Sequence, residues 1–324
     1  MIVTVVAMPE VTVTRTDVSQ ARARLAEAPF LVVDIELPEG EPAPETPIAD
    51  QLGLDTGELD WFGREGEPTR AEFLGDRAGL VVPVVHEDGI DHVHAVVTER
   101  FLVTVHRGHV GLADNLTAAF RHERPDDIVA ALFLVLQEAL ETFRRAAVRA
   151  LLETEELEDD MFEDRQPEQA HRLTLLRRRS AVMHHALLPY LQVVDGILTR
   201  RMMSPTFPEA RQRAAQGFQH AGRLVLADIE SLQDATRRAF ASYSSLVAGE
   251  QNGVINRLAI VSVIFLPLTF ITGFFGMNFD FLTNKLDTRD EFWLLAVGLQ
   301  VVVLGASLYV LHRTKVWRSL RDSD

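Results

Sequence analysis

The chain has 324 residues, no cysteine and a formal net charge of −15 at pH 7. This acidic balance excludes nucleic acid as an expected partner, because phosphate binding needs clustered lysine and arginine. The absence of cysteine excludes disulfides and thiolate zinc sites. The length suffices for one or two folded domains with sizeable cores, in addition to the apolar C-terminal segments considered below.

The first 122 residues alternate short runs rich in valine and isoleucine with short helical patterns. The expected strands are Ile2–Ala7, Phe30–Leu37, Gly79–His86, His92–Thr98 and Phe101–His106. Asp17–Ala28 and Gly111–Phe120 have the spacing of helices. Strands mixed with helices in this way predict an α/β domain over residues 1–122.

Three histidines near a predicted hairpin are candidate metal ligands. His92 and His94 lie two residues apart on a predicted strand and therefore face the same side. His86 lies across a turn in which Asp88-Gly89 is expected to supply the positive φ. Imidazole pairs suit Zn²⁺, Cu²⁺ or Ni²⁺, so a transition-metal site is one interpretation. The other is an exposed edge strand with its polar residues directed outward.

Residues 123–204 have the pattern of two antiparallel acidic helices. Apolar residues recur at spacings of three and four over 126–164, which predicts one long helix. Its end, Glu153–Asp164, is strongly acidic, and Pro167 then breaks the pattern. A second helical segment runs from about Glu168 to Arg201, with a kink expected at Pro189. The carboxylates can be read either as a weak site for divalent ions or as a solvated helix tip.

The next helix is predicted to be much longer. Thr206 and Glu209 have the spacing of a capping box, and no further proline interrupts the pattern before Pro267. One continuous helix from about Pro208 to Phe275 would be roughly 100 Å long at 1.5 Å per residue. Residues 205–257 are therefore interpreted as a stalk that continues into the apolar segment 258–278. Such a helix needs neighbours, and symmetry-related copies are the expected ones.

Two uncharged apolar segments follow, Leu258–Phe275 and Phe292–Leu311. Because roughly 20 apolar residues cross the ~30 Å hydrocarbon layer of a bilayer, both qualify as transmembrane helices. The prediction is a first span over 258–278, an external loop over 279–291 and a second span over 292–311. A pair of buried core helices is the alternative.

The charges that flank these segments predict their orientation. Residues 312–324 form a basic tail, whereas the loop 279–291 is net acidic. Because basic flanks stay on the cytoplasmic side, both termini and the α/β domain are expected there. The chain is thus predicted to be a multi-pass protein of the inner (cytoplasmic) cell membrane, with the lipid bilayer as one partner.

One face of the first span is polar or small toward its ends and apolar in the middle. At about 100° per residue this face carries Asn252, Ile255, Ser262, Leu266, Thr269 and Gly273, with Leu258 close to it. A water-filled path with a hydrophobic constriction has this pattern. Because two spans cannot enclose a pore, conduction requires several copies of the chain around an axis.

Gly276-Met277-Asn278 closes the first span with neutral oxygen acceptors. Mg²⁺ releases its water ligands reluctantly, so carbonyl oxygens of Gly276 and Asn278, repeated around an axis, could hold the hydrated ion. An acidic or histidine side chain within a span would indicate proton coupling or tight metal ligation. Neither span contains one, which favours passive conduction.

The segment Pro267–Phe279, with its Gly-Met-Asn end, closely resembles the signature of the CorA-type magnesium transporter family of two-span metal ion transporters. The order of segments along the chain is similar as well. The resemblance implies a funnel-shaped homopentamer in which Gly276, Met277 and Asn278 form the selectivity filter. It also implies a hydrophobic gate at Ile255 and Leu258, with Asn252 just below. The implied cargo is Mg²⁺, with Co²⁺ or Ni²⁺ as further candidates, and no other cofactor is required.

Three departures from the family pattern are visible. Phe275 stands where tyrosine is usual, and Phe281–Leu286 replaces a Met-Pro-Glu-Leu segment in the loop. Ala215–Leu224 contains no carboxylate, although magnesium-sensing members carry an aspartate-rich stretch there. Zn²⁺ transport, with or without protons, and a non-transporting membrane scaffold therefore remain alternatives. No enzyme is expected, because no phosphate-binding glycine loop, Gly-x-Ser-x-Gly or His-Glu-x-x-His motif is present.

Overall fold

The computed structural model describes residues 1–28, 30–40, 46–54, 59, 61–74, 77–87, 89–108, 110–202, 208–277 and 288–313. The chain divides into two compact units, Met1–Phe240 and Ala241–Asp324. The predicted cap at Thr206, the filter residue Asn278, most of the predicted loop and the basic tail beyond Arg313 lie outside the described residues.

The first unit contains a seven-stranded mixed sheet. Its strands are β1 (Ile2–Ala7), β2 (Thr12–Thr16), β3 (Leu31–Leu37), β4 (Arg70–Leu74), β5 (Arg77–His86), β6 (Gly89–Val97) and β7 (Phe101–Arg107). They lie in the order β2-β1-β3-β7-β6-β5-β4. Only β3 and β7 pair in parallel, and the other described neighbours are antiparallel. The predicted α/β domain is confirmed, with β2 and β4 as additional strands.

The helices of the chain include one that is continuous over 67 residues. In chain order they are α1 (Val18–Glu27), α2 (Ile48–Leu52), α3 (Leu112–Glu123), α4 (Ile128–Glu163), α5 (Pro167–Met202), α6 (Glu209–Phe275), α7 (Arg289–Glu291) and α8 (Leu299–Arg313). A π-helical segment, Phe292–Gly298, joins α7 to α8. The predicted long helix over 208–275 is confirmed as α6. α7 is a helical turn inside the predicted external loop.

Alternating side chains of β3 and β7 build the core on one face of the sheet. The parallel register pairs Val33 with Val103 and Ile35 with Val105, and all four side chains are buried. They pack in one cluster with Leu25 of α1 and with the buried face of α2. Residues of the opposite parity therefore face away from this cluster, toward the side of the sheet that α4 and α5 contact.

Specific hydrogen bonds fix α4 and α5 on that second face. The Tyr190 hydroxyl of α5 donates to the carbonyl of Leu136 in α4 at 2.8 Å. The Val85 amide of β5 donates to the hydroxyl of Thr142 at 2.9 Å. Asp127 caps α4 by accepting from the Ala130 amide at 2.8 Å. Because buried polar groups are costly when unpaired, these bonds hold the helices in register against the sheet.

In the first unit α6 packs along α5. Its buried residues keep the predicted spacing of three and four and include Phe218, Val225, Ile229 and Leu232. Phe218 meets Tyr190 edge to face, with ring centroids 5.9 Å apart. A side chain at Gly222 would place its Cβ 2.5 Å from a methyl carbon of Leu191. For this part of α6 the neighbours are thus supplied within the chain.

In the second unit, the described part comprises the end of α6, α7, the π-helical segment and α8. Among the described residues only α6 is both long and apolar enough to cross a membrane, and its apolar stretch is not buried within the chain. α8 is apolar but shorter, with 15 residues, because the first part of the predicted second span is π-helical.

Candidate functional site

The predicted pore-lining face of α6 is exposed in the chain. The apolar side chains of Ile255, Leu258 and Leu266 are 62%, 66% and 69% accessible. Asn252, Thr269 and Gly273 are exposed as well, and Ser262 is half-buried. Burying apolar surface is favourable by about 25 cal/mol per Å², so a row of exposed leucines and isoleucines is stable only against lipid or other protein.

The hydroxyls of this face point their protons back into the helix. Ser262 Oγ donates to the Leu258 carbonyl at 2.9 Å. Thr269 Oγ1 donates to the Phe265 carbonyl at 2.7 Å. Each hydroxyl has one proton but two lone pairs, so the exposed side of both groups is left as an acceptor. The water shell of a cation presents its hydrogens outward and is complementary to such acceptors.

Thr272 has a different role from its neighbours. Its hydroxyl donates to the Leu268 carbonyl at 2.8 Å and accepts from the side-chain amide of Gln300 at 3.2 Å. This bond links α6 to α8 within the second unit. Thr272 is thus an interhelical contact.

The end of α6 is a tight turn built on glycine. The helix ends at Phe275, and the amide of Gly276 donates to the Thr272 carbonyl at 2.9 Å. A Cβ added at Gly276 would lie 3.1 Å from that same carbonyl oxygen and 3.5 Å from that of Gly273. The first distance is tighter than most Cβ contacts and involves a backbone atom, so a side chain here requires a shift of a few tenths of an ångström. The second distance is an ordinary van der Waals contact. Met277 follows with its side chain 39% accessible.

In the ion pathway that the sequence predicts, Gly276→Ala is expected to shift the turn that precedes Asn278 and to lower ion flux several-fold. Flux is measured as Mg²⁺ entry into liposomes that contain equal amounts of reconstituted protein. Gly305→Ala in α8 is the matched control, because an added Cβ there meets no atom within 4 Å. Equal flux through both variants would show that the close approach at Gly276 has no part in conduction.

The comparison with protein families shows to which family the chain belongs. The model described as CorA-like Mg²⁺ transporter protein matches residues 33–313. The chain belongs to this family. Its members are membrane transporters rather than enzymes, which agrees with the exposed apolar face of α6.

Curated relatives of the chain are named for the transport of different metal ions. The chain is 22% identical to the cobalt/magnesium transport protein CorA of Methanocaldococcus jannaschii, over 82% of this chain and 86% of that protein. It is 27% identical to the zinc transport protein ZntB of Yersinia enterocolitica, over 48% of this chain and 47% of that protein. The chain thus spans about half the length of several of the curated relatives it matches.

Solved structures show the same fold over nearly the whole chain. The complete CorA magnesium transporter from Methanocaldococcus jannaschii superposes with a TM-score of 0.75 at 20% identity. The alignment covers 96% of this chain and 97% of that one. This chain therefore shares with that structure the fold of an α/β domain joined to a long helix.

The histidines of β6 lie on an inner strand of the sheet. β6 lies between β5 and β7, so the exposed edge strand is wrong. His94 is buried, and its Nδ1 accepts a hydrogen bond from the Gly63 amide at 3.1 Å. His86 lies opposite Gly89 in the register, while His92 lies opposite Pro83. By strand alternation His86 faces the other side of the sheet and cannot join the pair.

Burial lowers the pKa of His94 to about 4, with nearby positive charge adding to the effect. His94 is thus neutral near pH 7, and only its Nε2 is left for another partner. Among the described residues no group of three His, Asp or Glu could hold a metal ion. A transition-metal site at His92 and His94 stays a prediction. In the predicted turn Glu87 has a positive φ of 48°, and Asp88 lies outside the described residues.

A buried ionic pair in the sheet was not predicted. His106 donates from Nδ1 to the Gly108 carbonyl at 2.9 Å, and its Nε2 lies 3.2 Å from Asp34 Oδ2. Thr104 donates to Asp34 Oδ1 at 2.5 Å. Burial alone would lower the pKa of His106, but the hydrogen bond and charge of Asp34 outweigh burial and raise it. The sequence signal was the presence of polar residues inside two otherwise apolar strands, Asp34 in β3 and Thr104 and His106 in β7.

The structure also shows the surroundings of Ala215–Leu224, the segment that lacks the carboxylates of magnesium-sensing members. Ala215 and Phe218 are buried, and the ring of Phe218 meets Tyr190 of α5. At the surface the side-chain amide of Gln219 donates to Asp195 of α5. A carboxylate therefore does lie beside this part of α6, supplied by the neighbouring helix. No spacing rule within Ala215–Leu224 could have revealed it.

Proposed function

We propose that the protein conducts hydrated divalent cations across the inner (cytoplasmic) membrane, with Mg²⁺ as its principal cargo and Co²⁺ or Ni²⁺ as further substrates. The observation that carries this proposal is the exposed face of α6, with acceptor hydroxyls and an apolar middle, which ends in the Gly276 turn. Membership in the CorA-like family supports it.

The pore is proposed to form in a homopentamer. Five copies of α6 would place Asn252, Ser262, Thr269 and Gly273 on a common axis and cover the exposed apolar row. Ile255 and Leu258 would then form a hydrophobic gate, because a narrow apolar ring excludes water when closed. Gly276, Met277 and Asn278 would form the outer filter, which holds the hydrated ion without stripping its waters.

The proposed membrane arrangement has two spans per subunit, over 258–278 and 292–311. α7, the π-helical segment and α8 run without a gap from Arg289 to Arg313, which is long enough for the second crossing. Both termini and the α/β domain then lie in the cytoplasm, with the acidic loop outside. The stalk, the antiparallel helix pair over 123–204 and the basic tail complete the proposed division of the chain.

Zn²⁺ is the second candidate cargo, and two observations favour it. The Yersinia enterocolitica relative is named a zinc transport protein. In addition, Ala215–Leu224 lacks the carboxylates of magnesium-sensing members. The spans contain no carboxylate or histidine, so coupling to protons would need groups outside them.

Uptake into liposomes separates these functions. Purified protein is reconstituted, and entry of Mg²⁺ and Zn²⁺ is followed with and without a pH gradient. The proposal expects Mg²⁺ entry driven by membrane potential and independent of the pH gradient. Entry of Zn²⁺ alone, dependent on the pH gradient, would contradict the Mg²⁺ proposal and support Zn²⁺ transport. If no divalent cation enters, the protein is a non-transporting membrane scaffold.

A further inference from the structure

The segments that follow β3 and β7 pack on opposite faces of the sheet. These two strands are parallel neighbours. After β3 the chain passes to α2, which packs in the cluster on one face. After β7 it passes to α3 and α4, and α4 contacts the opposite face. In open α/β sheets, ligands bind outside the carboxyl ends of strands at such a switch point.

A cavity of about 310 Å³ lies at this edge of the sheet. It is bordered by Glu39 after β3, by Arg107 at the end of β7 and by Asp91 and His92 at the start of β6. Cavities that bind small molecules begin at roughly this volume, about 300 Å³. Unlike a hydrophobic pocket, it is lined mainly by charged and polar groups.

A glycine turn, Gly63–Gly66, forms the opposite wall. Gly63 and Gly66 have φ of 79° and 77°, a region that favours glycine. A Cβ at either position would meet no atom within 4 Å, so no side chain stands between this backbone and the open space. The bond from the Gly63 amide to His94 Nδ1 anchors the turn to β6. His94 thus has a structural use that does not involve a metal.

The cavity carries both positive and negative side chains, which restricts the ligands that it can bind. Arg64 and Arg107 supply two guanidinium groups, and Glu39, Glu65 and Asp91 supply three carboxylates. Arg107 Nε lies 3.8 Å from the exposed carboxylate of Glu65 at the rim. A bare anion would be attracted by the arginines but repelled by the carboxylates. A bare cation would find no group of three ligands among the described residues.

A phosphate with a bound Mg²⁺ is complementary to both the arginines and the carboxylates of the cavity. Mg²⁺ is usually bound through one or two carboxylates plus substrate phosphates, and it keeps several waters. Guanidinium groups match the remaining phosphate oxygens in pairs. We propose that the switch-point cavity binds a small magnesium-chelated phosphate, with Asp91 and Glu39 toward the ion and Arg64 and Arg107 toward the phosphate. This site is independent of the proposed ion pathway.

The test uses the full chain in detergent and labelled pyrophosphate as the probe. Equilibrium dialysis with excess Mg²⁺ is expected to show one saturable site per chain, with binding at least tenfold weaker in EDTA. Because the bound label is pyrophosphate, Mg²⁺ held elsewhere in the protein does not contribute to the signal. Saturable binding that is equally strong in EDTA, or no saturable binding at millimolar probe, would overturn the proposal.

Variants then locate the site. Arg107→Gln is expected to weaken binding at least tenfold, and Arg64→Gln on the exposed turn provides a second variant if Arg107→Gln fails to fold. Asp91→Asn is expected to reduce the difference between Mg²⁺ and EDTA. Arg15→Gln on β2 is the control for a lost positive charge outside the cavity. Equal binding by Arg15→Gln and Arg64→Gln would contradict the assignment.

Discussion

Replacing Asn278 by alanine is expected to reduce Mg²⁺ flux through the reconstituted protein by about tenfold or more. In the proposed pore, one amide oxygen per subunit accepts hydrogen bonds from the water shell of the ion. Alanine removes this acceptor from every copy at once. A tenfold loss corresponds to only about 1.4 kcal/mol, roughly one net hydrogen bond, so a whole ring is sufficient to supply it.

Asn284→Ala is the control for this experiment. It makes the same chemical change six residues later, within the proposed external loop. Flux should be measured at equal protein content, with the oligomer size in detergent determined for both variants. Unchanged flux in Asn278→Ala would show that the Gly-Met-Asn end is not the filter. A monomeric mass for the unmodified chain would contradict the pore itself.

The second large effect is expected at the buried pair of Asp34 and His106. Removing one partner of a buried ion pair costs about 3 to 5 kcal/mol. Asp34→Ala is expected to lower the free energy of unfolding by about 3 kcal/mol, the lower end of this range, because His106 can release its proton. At roughly 2 to 4 °C per kcal/mol for a unit of this size, the melting temperature should fall by about 10 °C.

The pair also predicts a pH dependence of known sign. The pKa of His106 is raised in the folded chain by Asp34, despite its burial. The contribution of the ion pair to the free energy of unfolding is therefore fully present below the ordinary imidazole pKa of about 6.5. This contribution is lost as the pH rises through the higher pKa that His106 has in the folded state. The melting temperature should fall with rising pH above about 6.5 and by less in Asp34→Asn.

Asp34→Asn is the matched variant because it keeps the shape of the side chain. Its Oδ1 still accepts from Thr104, and its Nδ2 can donate to the Nε2 of a neutral His106. The lowered pKa of His94 acts in a separate window, below about 6.5, where charging this buried ring costs stability. An identical pH profile above that value in Asp34→Asn and the unmodified chain would contradict the ionic pair.

Local patterns in the sequence were sufficient for the elements that depend on neighbours in the chain. The three and four spacing predicted α4 and the full length of α6. Alternating apolar runs predicted β1, β3, β5, β6 and β7. By contrast, β2 and β4 are short strands at the two edges of the sheet. Pairing with β1 and β5 stabilises them, and a pattern within five residues does not encode this.

The Gly-Met-Asn end of the first apolar segment, and with it the family, was determined by the sequence alone. Side-chain direction along α6 also follows from the helical period, so the exposed face could be predicted. The tertiary structure decided everything that joins distant segments: the pair of Asp34 and His106, Asp195 beside Gln219, and the cavity at the switch point. Asp34 and His106 are 72 residues apart, and only the parallel pairing of β3 with β7 brings them together.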